Sequence, residues 1–165
     1  MLQRLLCVAV FLGPVVGLAG CGGSGGRVVW VTGQLLKGGS KYSPPSGQLV
    51  TMTFVAIETE NAEGKVVPDT EPYLADYDPT AGTFKVPGKD GSGIPPGKYR
   101  IAISSKINRE ALNSSKASQK PADREKDYLG DKFGPTTSPI VREIKASTDL
   151  PIDMDKPTEG APSGG

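Results

Sequence analysis

The chain has 165 residues, with 19 basic and 18 acidic side chains, two cysteines and no histidine. Without histidine, Ser-His-Asp and Cys-His nucleophile systems, His-ligated zinc and imidazole acid–base catalysis are excluded. A net charge of +1 gives no electrostatic case for nucleic acid or for an anionic membrane surface.

The chain opens M-L-Q-R, and residues 5–19, L-L-C-V-A-V-F-L-G-P-V-V-G-L-A, are all apolar or small. Such a run, broken by Gly13, Pro14 and Gly17, falls short of the ~20 residues a bilayer span needs. A basic start, a short apolar stretch and small residues at its exit predict a secretory signal. Leu18-Ala19-Gly20-Cys21 resembles the lipobox of bacterial lipoproteins. The resemblance implies cleavage between Gly20 and Cys21, diacylglyceryl transfer to the Cys21 thiol and acylation of the new N-terminus. The residue types suit that chemistry, since a thiol is nucleophilic enough to take the lipid and small residues admit a peptidase. An ordinary cleaved signal that leaves a free thiol, and an uncleaved anchor, are the other readings. The next residues, G-G-S-G-G at 22–26, make a flexible tether. Gly22 in place of Asp argues, by analogy with enteric sorting, against retention at the inner membrane. The expected location is therefore the outer membrane of a bacterial envelope.

Cleavage would leave 145 residues with 18 basic and 18 acidic side chains, enough for one domain with its own core. Cys7 would leave with the signal and Cys21 would carry lipid, so no disulfide is available. Gly and Pro make up 37 of the 165 residues and punctuate short alternating runs, which points to an all-β domain. The first strand is expected at 28–36 (V-V-W-V-T-G-Q-L-L) and the second at 49–57, with Val50, Met52, Phe54 and Ala56 on one face. A weak strand over 72–77 leads to the turn Asp78-Pro79-Thr80-Ala81-Gly82 and a strand over 83–86 with Phe84 and Val86 inward. After a Pro/Gly-rich loop at 87–97, residues 98–104 alternate, with Tyr99, Ile101 and Ile103 inward and Lys98, Arg100 and Ala102 outward.

Residues 106–138 differ in kind, being rich in charge and poor in large apolar side chains. They are expected to form a long surface linker with one or two short helices, including two turns over 107–113. Strand character resumes at 140–145 with imperfect alternation. Leu150, Ile152 and Met154 give a last inward face, with Asp153 and Asp155 outward. The tail at 156–165 has no large apolar residue and is expected to be disordered. About seven strands, too short and polar for burial on both faces, predict an antiparallel β-sandwich.

The segments V-T-G-Q-L-L-K-G-G, V-T-M-T-F-V-A and G-T-F-K-V-P-G-K-D-G-S-G-I-P-P-G-K-Y-R-I-A-I occur in that order. Together they resemble the carboxypeptidase-regulatory-like (transthyretin-like, prealbumin-like) domain of bacterial surface lipoproteins of planctomycete type. K-F-G-P-T-T-S-P-I-V-R-E-I resembles the C-terminal part of such proteins. The resemblance covers about residues 28–154 and implies a Greek-key sandwich. Gly33 would then sit at a bulge or close approach, Gly82 would supply a turn conformation, and Pro96-Gly97 would close a turn. Two departures bear on loop geometry: Ala56 and Ile57 stand where the family has proline after the phenylalanine, and the linker is long. The resemblance implies an accessory module that aids folding, adheres or binds, so no catalytic residue transfers and no cofactor is expected.

Asp76 and Asp78 alternate as calcium ligands do, but an Asp-Pro turn explains the same residues and the EF-hand pattern is not met. Trp30, Tyr42, Tyr73, Tyr77 and Tyr128 are candidates for a sugar-stacking surface, against a plain packing role. The mixed-charge run at 123–127 reads as a solvated face. Ser104-Ser105-Lys106 and Ser114-Ser115-Lys116 lack the S-x-x-K spacing of serine acyl enzymes. The sequence therefore predicts a lipid-anchored, non-enzymatic envelope protein that has a structural role or binds a protein or glycan. The alternative is an accessory carbohydrate- or calcium-binding module that serves a separate enzyme.

Overall fold

A computed structural model describes residues 26–107 and 126–159. Gly20, Cys21, most of the tether, the helical turns expected after Ile107, Ser114-Ser115-Lys116 and the end of the tail lie outside the described residues. The elements are β1 (Val31–Lys37), β2 (Ser40–Lys41), β3 (Gln48–Glu60), β4 (Val66–Pro68), β5 (Pro72–Asp78), β6 (Thr83–Val86), β7 (Gly97–Ile107), a 3-10 turn (Asp131–Phe133), β8 (Val141–Ile144), β9 (Thr148–Asp149) and β10 (Ile152–Asp153). No helix among the described residues is long and apolar enough to cross a membrane.

The period-two patterns set the faces. Val50, Met52, Phe54 and Ala56 of β3 and Tyr99, Ile101 and Ile103 of β7 are buried, and the two strands pair over nearly their full length. The strands follow one hydrogen-bonded path, β10-β1-β6-β5-β3-β7-β8, that curls into a half-barrel. The curl brings Phe84 of β6 against Phe54 of β3, with ring centroids 5.9 Å apart, although β5 lies between them in the sheet. Tyr99 and Tyr73 extend the aromatic contacts at 6.4 and 6.1 Å, in edge-on geometry. The weak run at 72–77 is a full interior strand, paired on both sides by β3 and β6.

Two pairings depart from the antiparallel pattern. The last strands, β9 and β10, run parallel to β1, pairing Val31 with Thr148 and Leu35 with Ile152. The two pairings keep one register, and between them the Leu150 carbonyl lies over Gly33. A Cβ on Gly33 would collide with that carbonyl and stand 2.7 Å from the Phe84 ring. Gly97 is confined in a similar way, against the Glu58 carbonyl.

Three expectations are corrected. Asp153 is buried, not outward: its carboxylate accepts N–H bonds from Gly38 (3.1 Å), Gly39 (2.8 Å) and Asp155 (3.0 Å). These bonds, with the Asp155 amide foremost, hold the carboxyl below its usual range. Ala102 is buried, not outward, on the strand against which residues 126–138 pass; these stay mostly exposed and hold one 3-10 turn, Asp131–Phe133. There Phe133 is buried, Ser138 Oγ donates to the Ile101 carbonyl at 2.6 Å, and Asp127 Oδ1 accepts the Ser105 N–H at 3.0 Å. The tail is also placed as far as Glu159, since Arg142 Nη1 donates to the Pro157 carbonyl at 3.0 Å.

Gly33→Ala is expected to cost at least about 1–3 kcal/mol, because a carbonyl and a ring must both give way. Chemical denaturation of the two proteins measures the loss; an unchanged midpoint would show that β10 does not close on β1 as described.

Candidate functional site

Because side chains alternate along a strand, residues of β1, β5 and β6 that face away from the core share one outer surface. The register places Asp76 opposite Lys85, Lys85 opposite Thr32 and Thr32 opposite Asp149, so one polar row crosses four strands. Asp78, Thr83 and Gln34 form a second row beside it. The two rows line a cleft of about 480 Å³, with Tyr77 and Phe84 also contributing to its wall.

Lys85 Nζ lies 3.6 Å from Asp76 Oδ2 with both side chains exposed, a pair that contributes little to stability. Thr32 Oγ1 donates to Asp149 Oδ1 at 3.4 Å. Asp78 caps the turn that follows it: its Oδ1 accepts the Ala81 N–H at 3.0 Å and the Thr80 N–H at 2.8 Å. Those two bonds, in that order of weight, hold the Asp78 carboxyl below its usual range. The Gly82 N–H closes the turn on the Asp78 carbonyl at 2.7 Å, and Gly82 adopts φ +64°, which any other residue would take up only with strain. Both calcium candidates are thus engaged, Asp76 with Lys85 and Asp78 with its turn. Among the described residues no group of three or more carboxylates comes together to hold a metal ion.

The five aromatic candidates do not form one surface. Tyr42 and Tyr73 are buried. Tyr77 donates its hydroxyl to the Tyr42 carbonyl at 2.6 Å, tying β5 to the loop after β2. Trp30 and Tyr128 are exposed at opposite ends of the sheet, beside Thr148 and beside Ser105 near the end of β7. Ser105 is buried and bonds Gln48 at 2.8 Å, so it is a packing residue. The residues that sequence reasoning missed are Thr32, Gln34, Lys85 and Asp149. Each reads as a solvent-facing position, and only the strand order of the folded sheet shows that they are neighbours.

Hydroxyls, a carboxamide, carboxylates and one amine in an open groove suit hydrogen bonding to a polyhydroxylated or peptide ligand. No family model matches the chain, and neither the curated proteins nor the solved structures contain a match to it.

Burial, then the neighbouring Tyr42 and the Asp78 charge, push the Tyr77 hydroxyl up to about 12. A raised pKa means the neutral hydroxyl is the form the fold favours. Its stabilisation is complete below the ordinary tyrosine range near 10 and is lost as pH rises through about 12. Ultraviolet titration should show one tyrosine ionising near 12 that is absent from Tyr77→Phe. The variant should also lose about 1 kcal/mol at neutral pH, from the orphaned Tyr42 carbonyl.

Proposed function

We propose that this is a lipid-anchored protein of a bacterial envelope, placed at the outer membrane through Cys21, whose β domain binds or scaffolds and does no chemistry. The observation that carries the reading is the sequence L-A-G-C at 18–21, followed at once by G-G-S-G-G and a folded domain. Two acyl chains or an equivalent second signal are needed for stable anchoring, and a lipidated Cys21 would supply them. The non-enzymatic part rests on the lack of histidine and on an open groove that sets Thr32, Gln34 and Thr83 beside the Tyr77 and Phe84 walls.

The domain is proposed to be a Greek-key sandwich of transthyretin-like, carboxypeptidase-regulatory type. The contact of Phe84 with Phe54 across the curl supports it, because it packs the β1-β6-β5 half over the β3-β7-β8 half.

A second reading is an accessory carbohydrate-binding module, favoured by the outer-face cleft with Thr32, Gln34 and Thr83 presenting uncharged polar groups. Its partner would be an envelope glycan.

Intact mass and membrane fractionation of the wild type beside Cys21→Ala test the anchor. The wild type should carry the lipid mass and sediment with membranes, and the variant should lack the modification; an unmodified wild-type thiol would sink the proposal. For the second reading, a glycan array should give a hit that Thr32→Ala with Gln34→Ala weakens roughly tenfold, as two hydrogen bonds of about 0.5–1.5 kcal/mol imply. An empty array would leave the scaffold reading.

A further inference from the structure

The short segment between the tether and β1 presents the only tryptophan of the chain to solvent. Val29 is buried and locked to Ile94 by two backbone bonds, its N–H donating at 2.8 Å and its carbonyl accepting at 3.0 Å. Val28 and Trp30 on either side of it are 44% and 51% exposed. Trp30 does not hang on a loose end: its N–H donates to Ser147 Oγ at 3.0 Å and its carbonyl accepts the Thr148 N–H at 2.9 Å.

Strand directions put a third exposed apolar residue at the same end. β3 runs antiparallel to β5 and β7, and β6 antiparallel to β1 and β5, so β3 finishes at the end of the sheet where β1 begins. Gly26 lies against Ala62 in the turn after β3, and Val66, paired with Glu60, is 61% exposed. Scattered apolar side chains on a surface need no explanation. Here Val28, Trp30 and Val66, half of the large exposed hydrophobics among the described residues, gather at one pole, the one nearest the tether.

The spacing defines what that pole meets. Five residues lie between Cys21 and Arg27, and a Gly/Ser-rich chain over those six steps spans about 13 Å on average. Trp30 is nine residues from Cys21, at most about 30 Å when fully extended. Tryptophan favours the bilayer interface, where its ring is half-buried and its N–H stays wet. Resting on the lipid anchor proposed above, we infer that the Val28–Trp30–Val66 pole seats directly on the bilayer surface. The domain would then be held in one orientation, not swung freely on its tether.

The single tryptophan makes the test direct. Full-length acylated protein is reconstituted into phosphatidylethanolamine/phosphatidylglycerol vesicles that contain a brominated phosphatidylcholine, and Trp30 emission is followed. Seating predicts a loss of roughly half the emission. A second protein, with Trp30→Phe and Leu49→Trp, carries its reporter at the opposite pole and should keep its emission. A diacylated protein, verified by intact mass, whose Trp30 is unquenched overturns the inference alone. Equal quenching at position 49 also overturns it. An unmodified Cys21 overturns the anchor and the seating together.

Discussion

The fold depends on the absence of one side chain, at Gly33. β1 is bonded on both edges, to β6 on one side and to the final strands on the other. At its third residue the Leu150 carbonyl and the Phe84 ring both occupy the space a Cβ would fill. Phe84 is the core's contact across the curl, and Leu150 lies between the two parallel pairings that fasten the C-terminal strands. A larger residue at 33 would therefore disturb the closing of the half-barrel and the docking of the chain's last strands together.

The polar staples follow from that closure. Once β10 is seated, Asp153 sits beside the tight turn after β1 and accepts its two glycine amides. A carboxylate taken from water in this way needs such donors, and here backbone groups supply all of them. Arg142 is the less complete case. It is 2% exposed on the inward face of β8, and its Nη1 reaches the Val141 and Pro157 carbonyls. Its Nε has no partner, and burial pulls the guanidinium below its usual pKa, only partly offset by Glu159. A buried cation held by carbonyls alone stabilises poorly, and what it gains is to hold residues 156–159 against the edge strand.

The alternation at 50–56 and 99–103 was legible because each strand has one buried face, and a period of two in the sequence records it directly. The irregular alternation at 140–145 had a cause that sequence does not reveal, since Arg142 occupies an inward position that an apolar residue would mark. Asp153 read as outward because its partners, the Gly38 and Gly39 amides, are more than 110 residues away. The outer-face row was illegible for the same reason: Asp76, Lys85, Thr32 and Asp149 become neighbours only through the strand order β9-β1-β6-β5. The turn at 78–82 could be read because all its donors and acceptors are local.

The proposed seating and the proposed ligand binding fall on successive stretches of the chain. β1 begins at the tether, and the parallel β9 and β10 carry the C-terminal segment toward the other end, where Asp153 meets Gly38 and Gly39. The cleft lies on the side of the sheet, two to four residues up β1 from Trp30. A domain seated on its tether pole would hold that side face steeply to the bilayer, a few strand residues of about 3.3 Å each above the surface. At that height the cleft would be open sideways to ligands at the level of the lipid headgroups. The proposed anchoring and the proposed recognition would thus use neighbouring stretches of one chain, Val28–Trp30 and Thr32–Gln34, and the rigidity of β1, fixed on both edges, would set the distance between them.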